Sequence, residues 1–168
     1  MLNNFVVEKA AFTGVEIGIL QSLREIPGFL SFTTIFVLLI IKEQVFAVFS
    51  LALLGLGVSI TGFFPSAYGL YFTTIIMSTG FHYFEAVKQS LSLQWLSNDE
   101  APRVLGKLLS VHSASTLVVL SILYIVVFMF ETNYPWLYAV AGFFTVIVGI
   151  FCHFTFTNFS EKVEQRMD

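Results

Sequence analysis

Charge is what this sequence has least of. Only 11% of its 168 residues are charged, against 57% hydrophobic, and the mean hydropathy is +0.84. Soluble domains carry roughly 25% charged residues, so the composition excludes a water-soluble globular domain and requires an integral membrane protein. A net charge of −3 without any basic block leaves nothing for a nucleic acid to bind. Cysteine is nearly absent as well. Cys152 stands alone, which excludes an intramolecular disulfide and a thiolate metal cluster. P-loop, HExxH, GxSxG, GxGxxG and CxxC patterns are all missing, so no enzyme chemistry, cofactor or metal is expected. The first dozen residues lack a basic stretch followed by an apolar core, so no cleavable signal peptide is expected.

What the chain does have is apolar runs parted by short polar turns. Residues 1–12 are mixed in polarity and too short to span a membrane. Thr13-Gly14-Val15-Glu16 has the spacing of a capping box and opens a first span over 14–41. Within that span lie Gln21, Arg24, Glu25 and Pro27, and the proline predicts a kink one turn after the charges. Lys42-Glu43-Gln44 separates it from a charge-free span over 45–63, whose Gly55, Gly57 and Gly62 permit close helix contact or leave the helix loosely specified. A Gly14-x-x-x-Gly18 pair offers the same possibility. After Phe64-Pro65-Ser66 comes the span over 67–96. At about 1.5 Å per residue it would reach about 45 Å, against a hydrocarbon core of about 30 Å, so it should protrude at its Trp95 end.

Residues 97–107 form the longest polar connection, with Pro102 placed to start the next helix. The span over 103–130 carries Ser110, His112, Ser113, Ser115 and Thr116 in its first half. A turn over 131–135, a span over 135–157 and a charged tail over 158–168 complete the chain. No linker, repeat or low-complexity tract interrupts it. The expectation is one all-α membrane domain of about five transmembrane helices.

The polar residues inside these spans are the candidate site. On a helix, His82, Glu85, Gln89 and Ser92 share one face, with Lys88 beside Glu85. A charge at the bilayer centre costs about 2.5 kcal/mol or more unless paired or hydrated. Arg24, Glu25, His82 and Glu85 would lie at similar depth. They form either a substrate or proton pathway, in which His82 and Glu85 change protonation and Arg24 holds an anionic group, or an Arg24–Glu85 or Glu25–Lys88 bridge that fixes helix register, with Glu85 paired to Arg24, Lys88 or both. Gln21 and Gln89 fit a cavity wall better than a lipid face. His112, near a span end, reads as a satisfied interface histidine. Cys152 and His153 point to different helix faces, which argues against a metal site.

Orientation follows from the basic residues. With five spans, Lys42, Arg103, Lys107, Lys162 and Arg166 fall on one side and Lys9 alone on the other. The positive-inside rule places the former in the cytoplasm of a cell-membrane protein, with the C-terminus inside and the N-terminus outside. The Asn158-Phe159-Ser160 sequon would then escape glycosylation. An external start without a signal peptide suggests a missing upstream helix.

Two stretches carry a family resemblance. GVEIGILQSLREIPGFL, residues 14–30, resembles the start of the second helix of a major facilitator superfamily transporter. SNDEAPRVLGKLLSVHSAS, residues 97–115, is similar to that superfamily's loop between helices four and five and the beginning of helix five. The resemblance implies that the five spans correspond to helices two to six of an incomplete six-helix half-bundle. It further implies transport of a small solute or ion, with the missing helices of the same transporter and the lipid bilayer as partners. Two departures stand out. Ile41-Lys42-Glu43-Gln44 replaces the family's Gly, Asp and Arg loop, and Ser113-Ala114-Ser115 stands where drug antiporters have a Gly-rich, Pro-containing pattern. The alternative is a self-contained five-span scaffold that assembles with a partner.

Overall fold

The computed structural model describes residues 2–130 and 133–156. The charged tail, with the sequon at 158–160, Lys162 and Arg166, lies outside the described residues, as do Glu131 and Thr132. Among the described residues the structure is entirely helical. Its elements are α1 (Leu2–Ala10), α2 (Gly14–Phe29), a 3-10 turn (Leu30–Thr33), α3 (Thr34–Leu38), α4 (Glu43–Thr61), α5 (Ala67–Trp95), α6 (Ala101–Phe130) and α7 (Tyr134–Phe156). Four of the apolar runs are thus single helices that begin and end close to where their polar turns place them. The run over 14–41 is instead broken into three pieces just beyond Pro27. Residues 2–10, too short to span, form a helix of their own.

Among the described residues, three helices are long and apolar enough to cross a membrane: α4, α6 over Ala101–Val127 and α7 over Tyr134–Thr155. The other two expected spans differ for identifiable reasons. α2 is only 16 residues long and carries Glu16, Arg24 and Glu25. α5 has the length, at 29 residues, but His82, Glu85, Lys88 and Gln89 interrupt its apolar character.

The helices form two compact units, one reaching to Lys88 and including α7, the other beginning at Gln89 and holding α6. In the first unit α4 is central, because small residues let its backbone approach a helix on either side. A Cβ on Gly142 would stand 2.2 Å from the Ser59 hydroxyl oxygen and 2.3 Å from the Gly55 carbonyl oxygen, so α4 and α7 touch backbone to backbone. On another face of α4, Gly57 lies against the Met77 backbone, and Gly80 lies against the backbone of Leu54. The order of these contacts fixes direction. Leu51, Gly55 and Gly62 meet Gly149, Gly142 and Pro135 in turn, so α7 runs opposite to α4; α5 does the same. The Gly14–Gly18 pair makes no such contact, since nothing lies within 4 Å of either added Cβ.

The apolar core sits at the end of this unit where α2, α5 and α7 begin. Phe5, Val6, Phe12, Leu20, Leu70, Tyr134 and Tyr138 are buried there as one cluster. Phe5 of α1 packs its ring 5.2 Å from Tyr134 and 5.3 Å from Tyr138, and Phe12 lies 5.8 Å from Tyr71. Beneath them, α2 starts on its capping box: the Val15 amide donates to the Thr13 hydroxyl oxygen at 3.3 Å, and the Thr13 amide donates to the Glu16 carboxylate at 2.9 Å.

In the second unit, the polar first half of α6 is accommodated within the helix itself. Ser110, Ser113 and Thr116 donate to the carbonyls four residues back at 2.9, 3.0 and 2.8 Å. Their hydroxyls are satisfied without a neighbour, which is how such residues sit in an apolar helix. No residue in its most apolar stretch is buried.

Candidate functional site

The break in α2 and the polar face of α5 meet along one seam. Pro27 is buried inside α2. A proline within a helix removes its own N–H from the ladder and crowds the carbonyl four residues back, here that of Leu23. The kink that the ring imposes also turns neighbouring carbonyls outward, and α5 supplies a donor to one of them. The buried Ser78 hydroxyl donates to the Arg24 carbonyl across the seam. Further along, the Leu30 carbonyl of the 3-10 turn accepts from the Thr33 hydroxyl at 2.8 Å, with the Tyr83 hydroxyl 3.5 Å away. Thr33 and Tyr83 also join through their hydroxyls at 2.5 Å. Between these contacts His82 lies against Gly28. A Cβ there would come within 2.8 Å of the imidazole Cε1, so any side chain at 28 would make the ring shift. The pairings 24 with 78 and 28 with 82 make α2 and α5 parallel.

The charged residues flank this seam, each paired within its own helix. Arg24 Nη2 lies 3.3 Å from Glu25 Oε1, with side chains 47% and 63% exposed. Lys88 Nζ lies 2.5 Å from Glu85 Oε1, three residues apart, with side chains 49% and 44% exposed. The Lys88 ammonium also sits 6.0 Å from the Phe84 ring centroid. Cross-helix bridges between Arg24 and Glu85 or between Glu25 and Lys88 are therefore not the pairs formed. Both pairs neutralise their charges locally and leave half of each side chain uncovered by the chain.

Five of the seven sequence-predicted site residues, Arg24, Glu25, His82, Glu85 and Lys88, belong to this region of α2 and α5. Gln21 belongs to a different contact: its amide donates to the Asn3 side-chain oxygen of α1 at 3.3 Å. Gln89 is exposed and is the first residue of the second unit. His112 is exposed on α6, and Cys152 is a free, half-buried thiol. Among the described residues no group of His, Cys, Asp and Glu side chains could hold a metal ion. Sequence reasoning missed Ser78, Tyr83 and Gly28. Ser78 was legible as the residue one turn before His82 on the same helix face. Tyr83 and Gly28 depend on the packing of two helices, which no local pattern specifies.

Chemically, the seam offers a helix break with its carbonyls served by mobile-proton hydroxyls, an imidazole and two compact ion pairs. Such a set can bind a polar solute or pass a proton; it has no activated nucleophile and no oxyanion cradle. No family model, no curated protein and no solved structure matches this chain.

Proposed function

We propose that this chain forms part of the solute pathway of a secondary transporter of the major facilitator kind, in the cell membrane with its C-terminus in the cytoplasm. The observation that carries the proposal is the broken helix. Discontinuous helices beside ionisable side chains, inside an otherwise apolar chain, are how secondary transporters build midplane binding sites. Here the break after Pro27 lies against Ser78, His82 and Tyr83, with Arg24, Glu25, Glu85 and Lys88 alongside. Five crossings fit the packing as well. Within the first unit α5 and α7 run in the same direction and α4 opposite to both, which is compatible with alternating crossings. In this proposal the remaining helices of the pathway come from outside residues 1–168.

A scaffold that assembles with a partner is favoured by one feature, the apolar stretch of α6 with no buried residue. The two are separated by comparing solute levels in cells expressing the native chain, in its native genetic setting, with cells expressing Glu85→Gln or His82→Ala at equal membrane abundance. A pathway requires at least one small solute whose level follows the native chain and is lost in the variants. Unchanged profiles in both variants would refute the pathway and leave the scaffold.

A further inference from the structure

We propose that α1 is a lid over the end of the first unit, hinged at Ala11 and opening to uncover Tyr134 and Tyr138. This does not depend on the transport proposal. Four contacts hold the lid shut. Phe5 and Val6 are 1% and 0% exposed. The Tyr134 hydroxyl donates to the Glu8 carboxylate at 2.7 Å, and Gln21 donates to Asn3 at 3.3 Å.

Two features of the closed state oppose them. Ala11 takes a left-handed φ of 51°, a conformation that a residue with a Cβ adopts at a cost and glycine does not. The chain turns there, with the Phe12 amide reaching back to the Val6 carbonyl at 3.1 Å. The Tyr138 ring lies 5.3 Å from that of Phe5, and its hydroxyl is buried with no hydrogen-bond partner, so the closed state carries an unsatisfied polar group. The segment beyond the hinge is prepared for the movement. The Thr13–Glu16 box caps α2 from within, so lifting α1 does not unravel the helix that follows. A short helix held by two buried side chains and two polar latches, against local strain and an orphaned hydroxyl, is a reversible closure.

The test uses the full chain in detergent micelles with Cys152→Ser and a single reporter, Val6→Cys, whose labelling by a water-soluble maleimide reads opening. Ser50→Cys, 4% exposed on α4, serves as the control for unfolding of the whole unit. A lid gives labelling at 6 that is faster than at 50. Tyr134→Phe then raises the rate at 6 by about three- to tenfold, the worth of one hydrogen bond. Ala11→Gly lowers it by about threefold as the strain is relieved. Neither change alters the rate at 50. Equal rates at 6 and 50, or parallel responses at both, would overturn the proposal. Hydrogen exchange gives a second measure on the unlabelled chain: amides of residues 2–10 should exchange faster than those of α4, and exchange as slow as α4 would equally overturn it.

Discussion

Removing the Ser78 hydroxyl should expose how far α5 compensates for the break in α2. In Ser78→Ala the Arg24 carbonyl loses the donor that reaches it across the seam, at a site where Ser78 is only 3% exposed. A side-chain hydrogen bond between membrane helices is worth about 0.6 kcal/mol on average and up to about 1.7. The expected loss is therefore about 0.6–1.7 kcal/mol. The decisive comparison is with Pro27→Ala, which restores the missing N–H and lets α2 close its ladder. There the Leu23 carbonyl regains its donor and the kink that turns the neighbouring Arg24 carbonyl toward α5 is relaxed, so Ser78→Ala should cost less than about 0.5 kcal/mol. Unfolding monitored by steric trapping in bicelles measures all four corners of this cycle. Strictly additive losses would show that Ser78 does not serve the proline break, and the physical explanation of the seam would fail.

Further expectations follow from the packing. Gly142→Ala should destabilise the α4–α7 pair by about 1–3 kcal/mol, because the new methyl would stand 2.2 Å from the Ser59 hydroxyl oxygen with backbone behind it. Gly18→Ala should instead gain about 0.5–1 kcal/mol, since nothing lies within 4 Å and a mid-helix glycine is replaced by a better helix former; both are read from the melting of the purified chain. For orientation, single cysteines at Ser66 and Asn98 in Cys152→Ser cells should differ toward an impermeant thiol reagent. Labelling at 66 and protection at 98 is expected, and the opposite pattern would reverse the topology.

Much of the helical layout was legible because polar punctuation is strong in an apolar chain. Lys42, Phe64-Pro65-Ser66 and the stretch over 97–100 set the limits of α4, α5 and α6, and the Thr13–Glu16 spacing marked the start of α2. Pro27 was legible as a disturbance but not its extent: the 3-10 turn and the separate α3 beyond it lie against α5, where Tyr83 meets Thr33, and no local pattern specifies that packing. α1 was not legible as an element. Its nine residues are helical because Phe5 and Val6 find a tertiary surface on α7, and short helices owe their stability to such packing more than to propensity. In the candidate site, the shared face of His82 and Glu85 followed from helical periodicity alone. The pairing of Lys88 with Glu85 followed from the same periodicity, and that of Arg24 with Glu25 did not. Arg24 and Lys88 each pair with a carboxylate on their own helix, where the connecting backbone already holds the two groups close, in preference to a bridge across the seam. The glycines of α4 were legible as permissive but not as to which neighbour each would meet.

Whether the seam between α2 and α5 is lined by water decides between a solute pathway and a packed helix contact. Cysteines introduced singly at His82, Glu85 and Phe81, in a Cys152→Ser background in native membranes, can be compared by their reaction rates with a water-soluble thiol reagent. Phe81 is 46% exposed, adjacent in sequence and turned to another helix face. A pathway predicts rapid reaction at 82 and 85 and little at 81. Reaction that is equally slow at all three positions, or as fast at 81 as at the other two, would contradict a solute route along this seam.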